Sequence, residues 1–144
     1  MANAAPKLTD NLGYLLKHAY LQLEARLNEA LAPFDLDARE LGVLVVIAGS
    51  APLSQQQISQ RMGVDRTTMV ALLDALERKG VVFRHPDVDD RRRNVVEFTT
   101  AGRSTFERAV AARHAAERAF LHRVDARGAD ALRDTLKVLL EISD

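Results

Sequence analysis

Two short helical patterns joined by a glycine-containing turn, then a sudden change to alternating period, restrict this chain more than any other feature. Each helix in the region has a legible start. Asp37 stands three residues before Glu40, flanked by Leu36 and Leu41, a capping-box variant with a hydrophobic staple. It predicts a helix from Ala38 to about Ala48, stopped at Gly49. Ser54 stands three before Gln57, with Leu53 and Ile58 as the staple pair, and predicts a helix from Gln55 to about Arg61 that stops at Gly63. Asp65 caps a third helix, Arg66 to Lys79, with Val64 and Met69 as its staple and Gly80 as its stop. Met69, Leu72, Leu73 and Leu76 form its buried stripe. The turn Arg61-Met62-Gly63-Val64-Asp65 between the last two has helix-turn-helix spacing.

After Gly80 the pattern alternates. Val81-Val82-Phe83-Arg84 and Asn94-Val95-Val96-Glu97-Phe98 read as two strands around the charge-dense loop from His85 to Arg93. A hairpin in that place is a wing. The flanks are helical. Leu12, Leu15, Leu16, Ala19, Leu23, Leu27 and Leu31 recur at helical spacing from about Asp10 and end near Pro33. A long helix is expected from about Ala101 to Val124, and Asp125 caps a last one carrying Leu132, Leu136, Leu139 and Leu140. The expected fold is mainly α with a small β-hairpin wing, a winged helix-turn-helix over residues 35–100. Segments 8–34 and 101–144 are read as N- and C-terminal dimerisation helices.

Composition narrows the chemistry. The sequence has no cysteine, which excludes disulfides, cysteine-ligated zinc and thiol redox sensing. The four histidines are scattered, with no i,i+4 pair to hold a metal, and no cofactor is expected. Met1 to Pro6 lacks the apolar core of a signal peptide, and no apolar run approaches the roughly 18–20 residues of a membrane helix. A cytoplasmic chain without membrane contact is the expectation. No phosphate loop, nucleophile elbow or paired-carboxylate arrangement suggests an enzyme.

Charge alone argues mildly against nucleic acid, since 20 basic residues balance 20 acidic ones. Local motifs carry the case for DNA. The second helix of a helix-turn-helix enters the major groove through its N-terminal residues. Here those are Arg66, Thr67, Thr68 and Val70. Arg66 can pair bidentately with guanine, and the threonines offer a hydroxyl or a methyl. Asp65 is read as the helix cap. The preceding helix start, Ser54, Gln55 and Gln56, offers backbone amides to a phosphate. Three consecutive arginines at the hairpin tip, Arg91, Arg92 and Arg93, require Asp87, Asp89, Asp90 or an outside anion. A projecting arginine suits a narrow A·T-rich minor groove. Zero net charge keeps a second reading open, a winged-helix module that contacts protein and not DNA.

The run Asp90-Arg91-Arg92-Arg93-Asn94-Val95-Val96-Glu97-Phe98-Thr99-Thr100-Ala101-Gly102 resembles the wing signature of the MarR family of transcription regulators. Leu76 to Arg84 is similar to that family's recognition-helix end and first wing strand, and Phe98 replaces its usual leucine. The resemblance implies that Asp90 poises Arg92 as the minor-groove arginine. It also implies a homodimer with intertwined terminal helices acting on a palindromic operator, as a repressor or another regulator. Many members bind small aromatic or phenolic acids between dimer arm and winged domain. Along the helix after the wing, Arg113 and Glu117 interrupt an apolar stripe that includes Phe106. Arg113 is either an anion-binding group in such a pocket or the i,i+4 partner of Glu117. Tyr14 and His18 on the first helix are the other pocket candidates, although each reads first as an ordinary boundary residue.

Overall fold

The computed structural model describes residues 5–143. Met1 to Ala4, the bulk of the stretch read above for a signal peptide, and Asp144 lie outside them. The chain divides into two units: one takes the chain up to Arg26 and from His114 onward, the other is Leu27–Arg113. The division falls within two helices, α1 (Leu12–Leu31) and α5 (Thr100–Phe120).

The second unit holds the helix-turn-helix. Helix α2 (Ala38–Ala48) starts on the expected reciprocal cap, in which Asp37 Oδ1 accepts from the Glu40 amide at 2.8 Å and Glu40 Oε2 from the Asp37 amide at 3.0 Å. Ser54 and Gln57 cap α3 (Gln55–Met62) in the same way. Gly63, with φ of 63°, ends α3 in the left-handed region that L side chains avoid. Asp65 caps α4 (Arg66–Arg78). Leu44, Ile58, Met69, Leu73 and Leu76 from these three helices are fully buried, so one core sets their mutual angles.

The expected two-stranded hairpin is a three-stranded antiparallel sheet. β2 (Val82–Pro86) and β3 (Asn94–Phe98) pair with Arg84 opposite Val96, and β1 (Leu53–Ser54) adds to the other edge of β3. Two residues before a helix cap carry no alternating pattern, which hides β1 from a sequence reading. The first wing strand also runs one residue later than expected, beginning at Val82, because Val81 turns out of the helix: its amide donates to the Leu76 carbonyl at 3.0 Å.

Thr99 joins the wing to α5. Its amide donates to the Val81 carbonyl at 3.0 Å, and its hydroxyl oxygen accepts from the Gly102 amide at 2.8 Å. In the first unit, Asp125 caps α6 (Ala126–Leu139) as expected, accepting from the Gly128 amide at 2.7 Å. α5 ends at Phe120, earlier than the expected Val124, and turns until that cap. No helix among the described residues is long and apolar enough to cross a membrane.

Candidate nucleic-acid interface

The starts of α3 and α4 and the wing arginines share one polar cleft of about 420 Å³ in the second unit. Gln55, Gln56 and Arg66 line it from the helices, and Arg92, Arg93 and Asn94 from the wing. The physical cause is local. The glycine turn joins the end of α3 to the capped start of α4, which lines the cleft together with the capped start of α3, and the strand leaving the wing pairs with the residues just before α3. Helix starts concentrate partial positive charge, and arginines add full charges.

Of the expected contact residues, Thr67, Thr68, Val70 and Arg91 do not line the cleft, and the groups in and around it are constrained to different degrees. Asp65 Oδ1 accepts from the Thr68 amide at 2.8 Å, and Oδ2 from the Thr68 hydroxyl at 2.7 Å. The amide bond first, then the hydroxyl bond, holds the Asp65 carboxyl below the usual carboxylate range. Thr68 is half-buried, and its hydroxyl proton is committed to the cap. Arg66 and Thr67 are exposed, and Val70 is half-buried.

Ser54 is only 3% exposed, and its hydroxyl oxygen accepts from the Gln57 amide at 3.2 Å and from Arg93 Nη2 at 3.2 Å. It faces protein, so its part is to hold Arg93, while the amides of Gln55 and Gln56 are the outward first-turn donors of α3.

In the wing, the Arg92 side chain is 92% exposed. Asp90 Oδ1 accepts from the Arg92 amide at 3.1 Å and from Arg92 Nε at 3.3 Å, and the Asp90 carbonyl accepts from the Arg93 amide at 3.0 Å. Arg91 is exposed at the tip. On β2 and β3, His85 sits with Nδ1 3.0 Å from the Pro86 carbonyl and Nε2 against the Glu97 carboxylate. Both ring nitrogens face acceptors, the Glu97 hydrogen bond more strongly than the Pro86 one, and the imidazole pKa is raised.

Sequence reading missed Ser59, Met69 and Asn94 as cleft residues, and it missed the cluster around Arg84. Alternation along β2 places Arg84 and Phe83 on opposite faces, but not which helix Arg84 meets. The pocket candidates divide between the units. Tyr14 and His18 lie against each other in the first, their rings tilted by 37° with centroids 4.1 Å apart. Phe106 and Arg113, both partly buried, belong to the second, where Phe106 packs on Phe98 at 5.2 Å.

A family model described as MarR family matches residues 34–93. The multiple antibiotic resistance protein MarR of Escherichia coli K12 is 32% identical over 96 residues, 67% of each chain. CouR of Rhodococcus jostii RHA1, solved with p-coumaroyl-CoA bound, superposes with a TM-score of 0.82 at 31% identity, covering 94% of this chain and 95% of that one. The transcriptional repressor CouR bound to a 23-mer DNA duplex superposes with a TM-score of 0.88 at 30% identity, covering 92% and 94%. On the winged helix-turn-helix geometry and these likenesses together, the chain belongs to the MarR family of transcription regulators.

Proposed function

We propose that this chain represses transcription in the cytoplasm by binding a palindromic operator as a homodimer, with no enzymatic activity of its own. The single observation that carries this reading is the shared cleft, in which two helix starts and the wing arginines converge. Helix α4 enters the major groove with Arg66 foremost, with Thr67, Thr68 and Val70 behind it. The outward amides of Gln55 and Gln56 take a phosphate. Arg92 enters the flanking minor groove, with Arg91 and Arg93 beside it on the backbone. The DNA-bound form of CouR supports the same use of the same fold.

Selection of duplexes from a random-sequence pool, followed by anisotropy titration of Arg66→Ala, tests the reading. Specificity should relax at one symmetric pair of positions, with a loss of about 1–3 kcal/mol. Uniform weakening on every sequence makes Arg66 a phosphate contact, and failure of the wild type to select any duplex removes the proposal.

A second element of the reading is release by an aromatic acid; the p-coumaroyl-CoA complex of CouR supports the aromatic part of that ligand, being the thioester of such an acid with no free carboxylate, and the charge is assigned from Arg113 alone. The acid's charge sits on Arg113 and its ring against Phe106, two turns earlier on α5. Such a ligand acts only if it binds the DNA-incompetent state better. Calorimetry with a panel of aromatic acids should show affinity lost in Arg113→Ala; equal affinities make Arg113 structural.

A further inference from the structure

We infer that Arg84 is a positioning residue that sets the wing against the recognition helix, and thereby decides whether a bound duplex is gripped at its flanks. The inference rests on the DNA-binding reading above and goes to a residue with no place in the interface itself.

Arg84 lies on β2, opposite Val96 of β3, the strand that leads out of the wing arginines. Its side chain is 21% exposed, too enclosed to serve as a free phosphate ligand. Nε and Nη2 donate to Glu77 Oε2 at 2.8 and 2.6 Å, and Nη2 also donates to the Asp74 carboxylate. Asp74 and Glu77 stand one turn apart on the same face of α4. Nη1 points at Gln55 Oε1 on α3, a long contact of 3.5 Å. One guanidinium thus bonds the wing to the recognition helix and reaches the helix before it.

The geometry needs arginine. A planar fork carries five N–H donors in fixed directions and can engage two carboxylates and an amide at once, whereas an ammonium is a compact point charge. The contact also selects the oxygen end of the Gln55 amide. Its NH₂ end is left for the cleft, where a donor suits a phosphate. Two carboxylates beside a DNA-facing helix are unfavourable by charge counting alone. They make sense as the anchor for a cation that holds the wing.

Hydroxyl-radical footprinting on a duplex selected by the wild-type protein, with melting curves alongside, tests the inference. Arg84→Lys keeps the net charge. It should lose protection at the flanking minor grooves and about tenfold in affinity, while the central major-groove protection and the melting temperature stay close to wild type. Asp74→Asn removes a negative charge, so plain attraction predicts tighter binding, whereas the clamp predicts weaker binding with the same loss at the flanks. If Arg84→Lys is too unstable to assay, Asp74→Asn decides alone. Wild-type footprints in both variants overturn the inference. So does an equal loss at centre and flanks accompanied by a lowered melting temperature, which is the mark of a merely structural ion pair. A wild-type protein that selects no duplex overturns the parent reading as well, which separates the two failures.

Discussion

Arg92 and Asp90 pose an electrostatic question at the scale of single residues. Their ion pair is exposed, with Arg92 Nε 3.3 Å from the carboxylate, and pairs of this kind contribute little to stability. What Asp90 does instead is geometric: through one carboxylate oxygen and its carbonyl it fixes the turn from which Arg92 projects. Removing Asp90 takes a negative charge away from the loop proposed to meet DNA, so charge counting predicts tighter binding for Asp90→Ala. Positioning predicts weaker binding, and we expect the latter. Arg92→Ala should weaken operator binding and flatten its salt dependence by about one phosphate equivalent. Anisotropy across a salt series reads both variants. Tighter binding by Asp90→Ala with an unchanged Arg92→Ala makes the wing a solvated turn. The caps at Asp37, Ser54, Asp65 and Asp125 were all legible in sequence because each is complete within three residues. The Arg93–Ser54 bond joins residues 39 apart, and nothing local announces it.

At the scale of elements, the junction between wing and α5 is the tightest point in the second unit. A Cβ on Gly102 would lie 1.8 Å from the Val81 carbonyl oxygen, a backbone atom that cannot rotate away. Gly102→Ala therefore has to part α5 from the strand entry, and it should destabilise the fold by about 3 kcal/mol or more, read from the urea midpoint. A variant within 0.5 kcal/mol of wild type, roughly the range of neutral surface changes, contradicts that packing. The wing sheet carries its own proton dependence. His85 has a raised pKa, so its contribution is complete below the ordinary imidazole value of about 6.5 and is lost as pH rises through the higher folded value. Above that, Glu97 and nearby Asp87 are left without the imidazolium, on the wing proposed to bind DNA. Affinity should fall between neutral and mildly alkaline pH, and His85→Gln should lose most of that slope. Identical pH profiles for the two proteins rule the pair out as the cause. This pairing was as hidden as the Arg84 cluster. Period predicts that β2 and β3 alternate, but the diagonal contact of His85 with Glu97 depends on register, and register is fixed by the β1 and β2 pairings around β3.

At the scale of the whole molecule, the first unit exposes large apolar side chains to water when the chain stands alone. Leu12 is 64% exposed, Val138 76%, Leu139 64% and Leu140 67%, with Leu15, Leu16 and Leu132 above 40%. Large apolar side chains exposed in number on two helices of a small protein favour an association surface. Both stripes come from the helices that a sequence reading singles out for a second copy, and the likeness to a DNA-bound repressor gives a dimer its use. A two-fold pair presents two recognition helices to half-sites about one turn (~34–36 Å) apart. Charge cannot supply the same selectivity, because the chain carries 20 basic against 20 acidic residues. Specific affinity is then expected from doubling the contacts of one cleft, and a monomer should keep one half-site's contacts and lose the avidity of the second. We expect sedimentation at micromolar concentration to give twice the 15.9 kDa of one chain. Leu139→Asp should shift the mass to that of one chain and abolish binding to a palindrome, while circular dichroism of the helix-turn-helix unit stays intact. A wild-type monomer at that concentration, or a monomeric variant that still binds the palindrome as tightly, would falsify the assignment of the terminal helices to dimerisation.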